Sequence, residues 1–194
     1  MRTERLTAFS DGVIAIIITI MVLELKAPHE AGWSALRPLA PTFLAYALSF
    51  AYVAIYWNNH HHLLHAARFV TGAILWANTT LLFFLSLVPF STAWLSETHF
   101  ASAPVALYGV TLLAPALAYF LLSRLLIGSG ALNASVAEAI GKDWKGLISI
   151  ALYLVGVATS LAFPYAAIAL YALVAVMWFI PDRRIEGRLT AGEE

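Results

Sequence analysis

The chain contains no cysteine. That excludes a disulfide framework, a thiolate metal site and a cysteine nucleophile, and it says nothing about redox compartment. Charge is scarce too: 11% of the 194 residues are Asp, Glu, Lys or Arg, against 61% hydrophobic. A soluble globular domain carries roughly 25% charged and roughly 45–50% apolar residues. A chain of this size with so little charge cannot cover a water-facing surface, and its mean hydropathy of +0.82 agrees. The formal net charge is zero. There is therefore no basic face for nucleic acid, which is not an expected partner, and no acidic tail. Internal repeats, a second domain and low-complexity tracts are absent as well.

What is present is a series of apolar runs. A bilayer core needs ~20 mainly apolar residues per helix. Six segments qualify, at about 8–25, 36–66, 69–95, 104–126, 145–163 and 165–180, within one transmembrane domain over 1–194. The first run is followed by Glu24-Leu25-Lys26-Ala27-Pro28-His29, with no small-x-small cleavage site, so it reads as a helix and not as a leader. The string Ile185-Glu186-Gly187-Arg188 reads as native cytoplasmic tail. Pro28 and Gly32 open the first turn, and Pro38 and Pro41 suit the start of helix two, where a missing N–H matters little. Gly128-Ser129-Gly130 ends helix four, the 128–143 stretch reads as a connector, and Phe163-Pro164-Tyr165 divides helices five and six. Pro89 and Pro115 fall inside apolar runs, where kinks are expected.

The cations set the orientation. With a cytoplasmic N-terminus, Arg2, Arg5, Arg68, Arg124, Lys142, Lys145, Arg183, Arg184 and Arg188 lie inside, and only Lys26 and Arg37 outside. Nine of eleven on one side satisfies the positive-inside rule and requires an even number of spans. Trp33, Trp57, Trp94, Trp144 and Trp178 fall near expected helix ends, as an interfacial belt does. The expected fold is an all-α integral membrane protein with six transmembrane helices and both termini cytoplasmic, lying multi-pass in the cell membrane (inner or plasma).

Polar groups inside a bilayer are costly and are the first places to seek function. Helix one opens with Arg5, Ser10 and Asp11. Taking about 100° per residue with Ile16 at zero, Ile20 falls at about 40°, Leu23 at about −20°, Gly12 at about −40° and Thr19 at about −60°. Asp11 falls at about −140°, well away from this stripe. An aliphatic stripe is ordinarily packing against lipid or another helix. The second cluster is Trp57-Asn58-Asn59-His60-His61-His62-Leu63-Leu64-His65. His61 and His65 share a face at metal-ligand spacing, but no acidic residue or cysteine lies near to complete a site, so no metal is expected. Both clusters sit at the same membrane face. Asp11 and one of Asn59 or His60 are expected to meet there, because a carboxylate at the edge of the apolar layer needs a partner.

The string Arg5-x-x-x-Phe9-Ser10-Asp11, running into Gly12-Val13-Ile14-Ala15-Ile16-Ile17-Ile18-Thr19, closely resembles a signature of the endosomal and lysosomal potassium channel family, transmembrane protein 175 and its prokaryotic homologues. Trp57-x-Asn59-His60-His61 resembles that family's second-helix motif, and Ile180-Pro181-Asp182-Arg183-Arg184-Ile185-Glu186 is similar to the ending of many bacterial members. His62 departs from the arginine that many members carry there. The resemblance implies a homotetramer in the lipid bilayer, with helix one lining a central pore. It implies a pore constriction of Ile16, Ile20 and Leu23, with Thr19 at a position linked to cation selectivity. It also implies a network of Arg5, Phe9, Ser10, Asp11, Trp57, Asn59 and His60 joining helices one and two. The family has no glycine-rich carbonyl filter, and this sequence has none.

These readings converge on a potassium-preferring cation channel, with potassium and other monovalent cations as its ligands, no cofactor and no enzymatic activity. A proton-coupled secondary transporter using Asp11 with His60 or His61 is the main rival. It lacks an inverted repeat and a pair of broken helices. A metalloenzyme on His60, His61 and His65 lacks its remaining ligands and a catalytic acid.

Overall fold

The computed structural model describes residues 3–141 and 143–179. Arg2, Lys142, Arg183, Arg184, Arg188 and the 180–186 ending lie outside the described residues. All regular structure among the described residues is helical. The order is α1 (Thr3–Leu23), a 3-10 segment (Trp33–Leu39), α2 (Ala40–His65), α3 (Gly72–Leu85), α4 (Val88–Glu97), α5 (Ser102–Gly128), α6 (Ala134–Gly141), α7 (Trp144–Ser160) and α8 (Pro164–Phe179).

Local chemistry explains the boundaries. The described part of α1 begins at Thr3, ahead of the expected Ala8; Glu4 suits the positive end of the helix dipole, and Thr7 Oγ1 donates to the Thr3 carbonyl at 3.2 Å. Pro38 lies in the 3-10 segment, and Pro41 sits in the first turn of α2. The expected third span is broken in two. Pro89 has no N–H to return to Leu85, so α3 stops there and α4 restarts with proline in its first turn. Pro115, by contrast, leaves α5 unbroken. Thr71 caps α3 and Asp143 caps α7, each accepting a backbone N–H three residues on.

Two helix ends share one device. After α5, Gly130 at φ 70° lets the Ala131 N–H reach the Leu126 carbonyl at 3.3 Å. This is a Schellman ending. After α4, the same bond runs from the Phe100 N–H to the Leu95 carbonyl at 3.0 Å, but the left-handed residues are His99 at φ 51° and Phe100 at φ 61°. The Phe100 side chain packs on the core below, which offsets the strain.

Among the described residues, four spans are long and apolar enough to cross a membrane: Thr3–Leu23, Trp33–His65, the α3–α4 pair Gly72–Glu97, and Ser102–Gly128. α7 is apolar but shorter, at 17 residues, and the described part of α8 is an apolar 16 residues. At about 1.5 Å per residue they reach roughly 25 Å of a roughly 30 Å hydrocarbon core.

Two apolar cores hold the bundle. One joins α1, α3 and the ends of α2 and α5 around Ile14, Ile17, Leu64, Ile74, Leu81 and Leu122. The other joins α2, α4, α5, α7 and α8 around Tyr52, Tyr108, Tyr153 and Tyr171. Hydrocarbon gives helices no hydrophobic reason to associate, so hydroxyl bonds and small residues must do it. Ser49 Oγ lies 2.7 Å from Thr92 Oγ1 and 2.9 Å from the Tyr108 hydroxyl, tying α2 to α4 and α5. The Tyr52 hydroxyl donates to the Tyr171 carbonyl, tying α2 to α8. The Tyr171 ring fills a notch that exists only because residues 109 and 156 are glycine; a Cβ at either would collide with that ring.

Gly156→Val should therefore lower the thermal unfolding midpoint in detergent. Overpacking of this kind costs about 1–3 kcal/mol. Gly72→Ala, where a Cβ meets open space, should leave the midpoint unchanged. Equal midpoints for the two variants would show that the notch does not organise the second core.

Candidate functional site

α1 presents three different faces. Leu6, Ser10, Ile14, Ile17 and Met21 point into the protomer and are buried. Asp11 points toward α2. The third face is open: Phe9 is 58% exposed, Ile16 58%, Ile20 44% and Leu23 75%. Gly12 and Thr19 are exposed beside it. The four expected constriction and selectivity positions thus share one surface that the protomer does not cover.

Polar bonds hold the helix in this rotation. The Trp57 indole N–H donates to Asp11 Oδ1 at 3.0 Å. This differs from the expected contact of Asp11 with Asn59 or His60. At about 100° per residue, Asn59 projects about 160° away from Trp57, whereas His60 lies only about 60° from it but donates its ring N–H to Asn78. Asn59 returns its amide to the Ile55 carbonyl at 2.8 Å and accepts the Tyr119 hydroxyl on its own carbonyl at 3.2 Å. His60 turns to α3.

There it joins a directed chain. His60 Nε2 lies 2.6 Å from Asn78 Oδ1, an acceptor, so this ring nitrogen is the donor. Asn78 Nδ2 donates to Ser10 Oγ at 3.0 Å, and Ser10 Oγ donates to the Leu6 carbonyl at 2.8 Å. His60, Asn78 and Ser10 are all fully buried. Every donor in the chain meets an acceptor, while His60 Nδ1 has no hydrogen-bond partner among the described residues, which fits a neutral ring. Arg5 is exposed at the start of α1.

His61 and His65 form a column with Trp57 on α2. The rings of His61 and His65 stack at 6.0 Å and 11°, and Trp57 lies 5.9 Å from His61. Among the described residues no three His, Cys, Asp or Glu side chains gather as a metal site. Two contributors escaped the sequence reading. Asn78 is a lone amide within an apolar run, a pattern that singles out a buried polar partner. Tyr119 carries no such mark, because tyrosines are common throughout this chain.

The geometry defines a class first: an all-α membrane bundle whose first helix is clamped by polar bonds on two sides and left bare on a third. Comparison with known proteins makes the class specific. Residues 5–89 match the family described as Endosomal/lysosomal potassium channel TMEM175. The chain is similar to Potassium channel HX13_20290 of Chryseobacterium sp. (strain P1-3), with 54% identity covering 97% of this chain and 98% of that one. It is similar in structure to a lysosomal potassium-selective channel TMEM175 homologue from Chamaesiphon minutus, with a TM-score of 0.80 and 32% identity over 92% of this chain and 96% of that one. It also shares 35% identity with the human Endosomal/lysosomal proton channel TMEM175 over 52% of this chain but 22% of that longer protein. The chain belongs to the TMEM175 family, and with its apolar helices it is a multi-pass membrane protein.

If the buried chain clamps α1, Asn78→Leu should strand the His60 donor and remove the bond that Ser10 Oγ accepts, and cost about 1–3 kcal/mol. The reading is the unfolding midpoint of purified protein. Thr79→Ala, which removes an exposed hydroxyl bonded only to its own helix, is the matched control. An Asn78→Leu midpoint no lower than that of the control would remove the clamp.

Proposed function

We propose that the chain is a potassium-preferring cation channel of the cell (inner or plasma) membrane. It assembles as a homotetramer, with both termini cytoplasmic and six membrane crossings, two of them made by α7 and α8. Copies of α1 surround the axis, and the ion path runs along their bare faces without a cofactor. The observation that carries this reading is the open stripe of Phe9, Ile16, Ile20 and Leu23 on a helix whose other faces are fixed.

Each residue then has a physical task. Ile16, Ile20 and Leu23 narrow the path, and a ring of aliphatic side chains closes by excluding water. Thr19 Oγ1 donates its proton back to the Ile16 carbonyl at 2.8 Å, which leaves its lone pairs turned outward to replace part of a cation's hydration. A Cβ at Gly12 would face open space in its own protomer, so the small size of Gly12 serves close approach of a neighbouring copy of α1. Glu24, just beyond α1, concentrates cations at the outer mouth. Asp11, Trp57, Ser10, Asn78 and His60 set how far the helices splay.

The geometry gives the proton-coupled transporter less support. Asp11 bonds Trp57, and His60 bonds Asn78, so the two expected relay members are committed to different partners.

In liposomes with an imposed potassium gradient, the protein should conduct passively without a proton gradient. Strict one-for-one coupling to protons would contradict the channel. Ile16→Asn wets the constriction and should raise single-channel current severalfold while loosening selectivity. An unchanged current in that variant would move the constriction elsewhere.

A further inference from the structure

The bare face of α1 begins well before Ile16. On the scale that sets Ile16 at zero, Phe9 falls at about 20° and Arg5 at about −20°, the angle of Leu23. Arg5, Phe9, Gly12, Ile16, Thr19 and Leu23 follow one another at intervals of four, three, four, three and four residues. That 3.5-residue repeat is the seam along which helices coil about a shared axis. Every residue of this seam is exposed in the protomer.

The first member is the only charged one. The family resemblance places Arg5 in the network that joins α1 to α2, yet Arg5 makes no hydrogen bond or ion pair among the described residues. The clamp at Ser10 and Asp11 lies less than two turns away, so the rotation of this part of α1 is fixed. Two acids are near in sequence but off the seam. Glu4 lies about 100° round the helix from Arg5, and Asp11 about 120° from it and bonded to Trp57. Side chains on a helix lean toward its N-terminus, so the Arg5 guanidinium extends past the apolar layer into water. Its Cα lies about 6 Å from that of Phe9 and about 16 Å from that of Ile16 along the helix.

Arginine is charged at every working pH. A positive ring on a cation path is a barrier, and its height scales with the charge of the ion. At physiological salt, four such charges roughly a pore radius away deplete a monovalent cation about twofold and a divalent one about fourfold.

We infer that Arg5 rings the cytoplasmic mouth of the ion path, thinning the potassium that enters from that side and holding back divalent cations. It thereby sets specificity for monovalent ions and makes flow out of the cytoplasm the harder direction. The inference rests on the channel reading above.

The chain has no cysteine, so a charge can be placed at residue 5 after the protein has folded. Arg5→Cys is recorded in planar bilayers and treated from the cytoplasmic side with trimethylammonioethyl or sulfonatoethyl methanethiosulfonate. The adducts are alike in bulk and opposite in charge. The anionic adduct should carry about fourfold more outward current than the cationic one and bind blocking cytoplasmic Mg²⁺ about tenfold more tightly. Both differences should collapse at about 1 M salt, where the screening length is about 3 Å. Glu4→Cys, off the seam, should give nearly equal currents with the two reagents. Arg5→Gln should pass about twofold more outward current than the unmodified protein, and Arg5→Lys the same current as it. Equal currents from the two Arg5→Cys adducts would overturn the inference. So would a Glu4→Cys difference as large as that at Arg5→Cys, or a difference that persists unchanged at high salt. If the unmodified protein conducts and the adducts do not differ, the barrier falls and the channel stands; if the unmodified protein passes no potassium, both fall.

Discussion

A helix surrounded by hydrocarbon has no hydrophobic reason to prefer one rotation about its axis, and the structure depends on how α1 is denied that freedom. Its rotation is set by hydrogen bonds on two sides. Trp57 holds Asp11 from α2, and Asn78 holds Ser10 from α3 while also accepting from His60. Each lost bond inside an apolar layer leaves a polar group without water to replace its partner, at a cost of about 1–3 kcal/mol. The clamp lies in the first half of α1, near Ser10 and Asp11. The second half, carrying Ile16, Thr19, Ile20 and Leu23, projects from it as a wall whose direction is already chosen.

The rest of the bundle supports the clamp at a distance. Two cores share α2 and α5, so those helices transmit position between the α1 side and the α7–α8 side. The second core is built from tyrosines because a bundle in lipid needs bulk and polar attachment together. Tyr52 and Tyr108 fill space and also reach a partner on another helix. Gly109 and Gly156 make room for Tyr171, so small and large residues are matched across α5, α7 and α8.

Much of this was legible in the sequence where one physical cause acts locally. Long apolar runs marked the four spans that are long enough to cross a membrane among the described residues, and a 3.6-residue period gave the stripe of Ile16, Ile20 and Leu23 that the structure leaves bare. The local rules failed where two causes competed. Pro89 and Pro115 both lack an N–H, and a kink is expected at each, yet the helix is interrupted just before Pro89 while α5 runs unbroken through Pro115. Asp11 plainly needed a partner, yet Trp57, Asn59 and His60 are all near in sequence, and only the relative rotation of two packed helices chooses among them. Asn78 stands 68 residues from Ser10, and no spacing rule spans that interval. The resemblance to a channel family supplied what one protomer cannot: a reason for the bare face to meet other copies of itself and not lipid.

The central claim is that this bare face borders water and ions in the assembled protein. The absence of cysteine makes the claim directly accessible. Single cysteines are placed at Ile20, at Leu23 and, as the buried control, at Met21, and current is recorded before and after a small cationic thiol reagent is added to the outer side. The account predicts that Leu23→Cys and Ile20→Cys lose current on modification, while Met21→Cys does not respond. Modification at Met21→Cys with no response at Leu23→Cys and Ile20→Cys would place the ion path on the other side of α1.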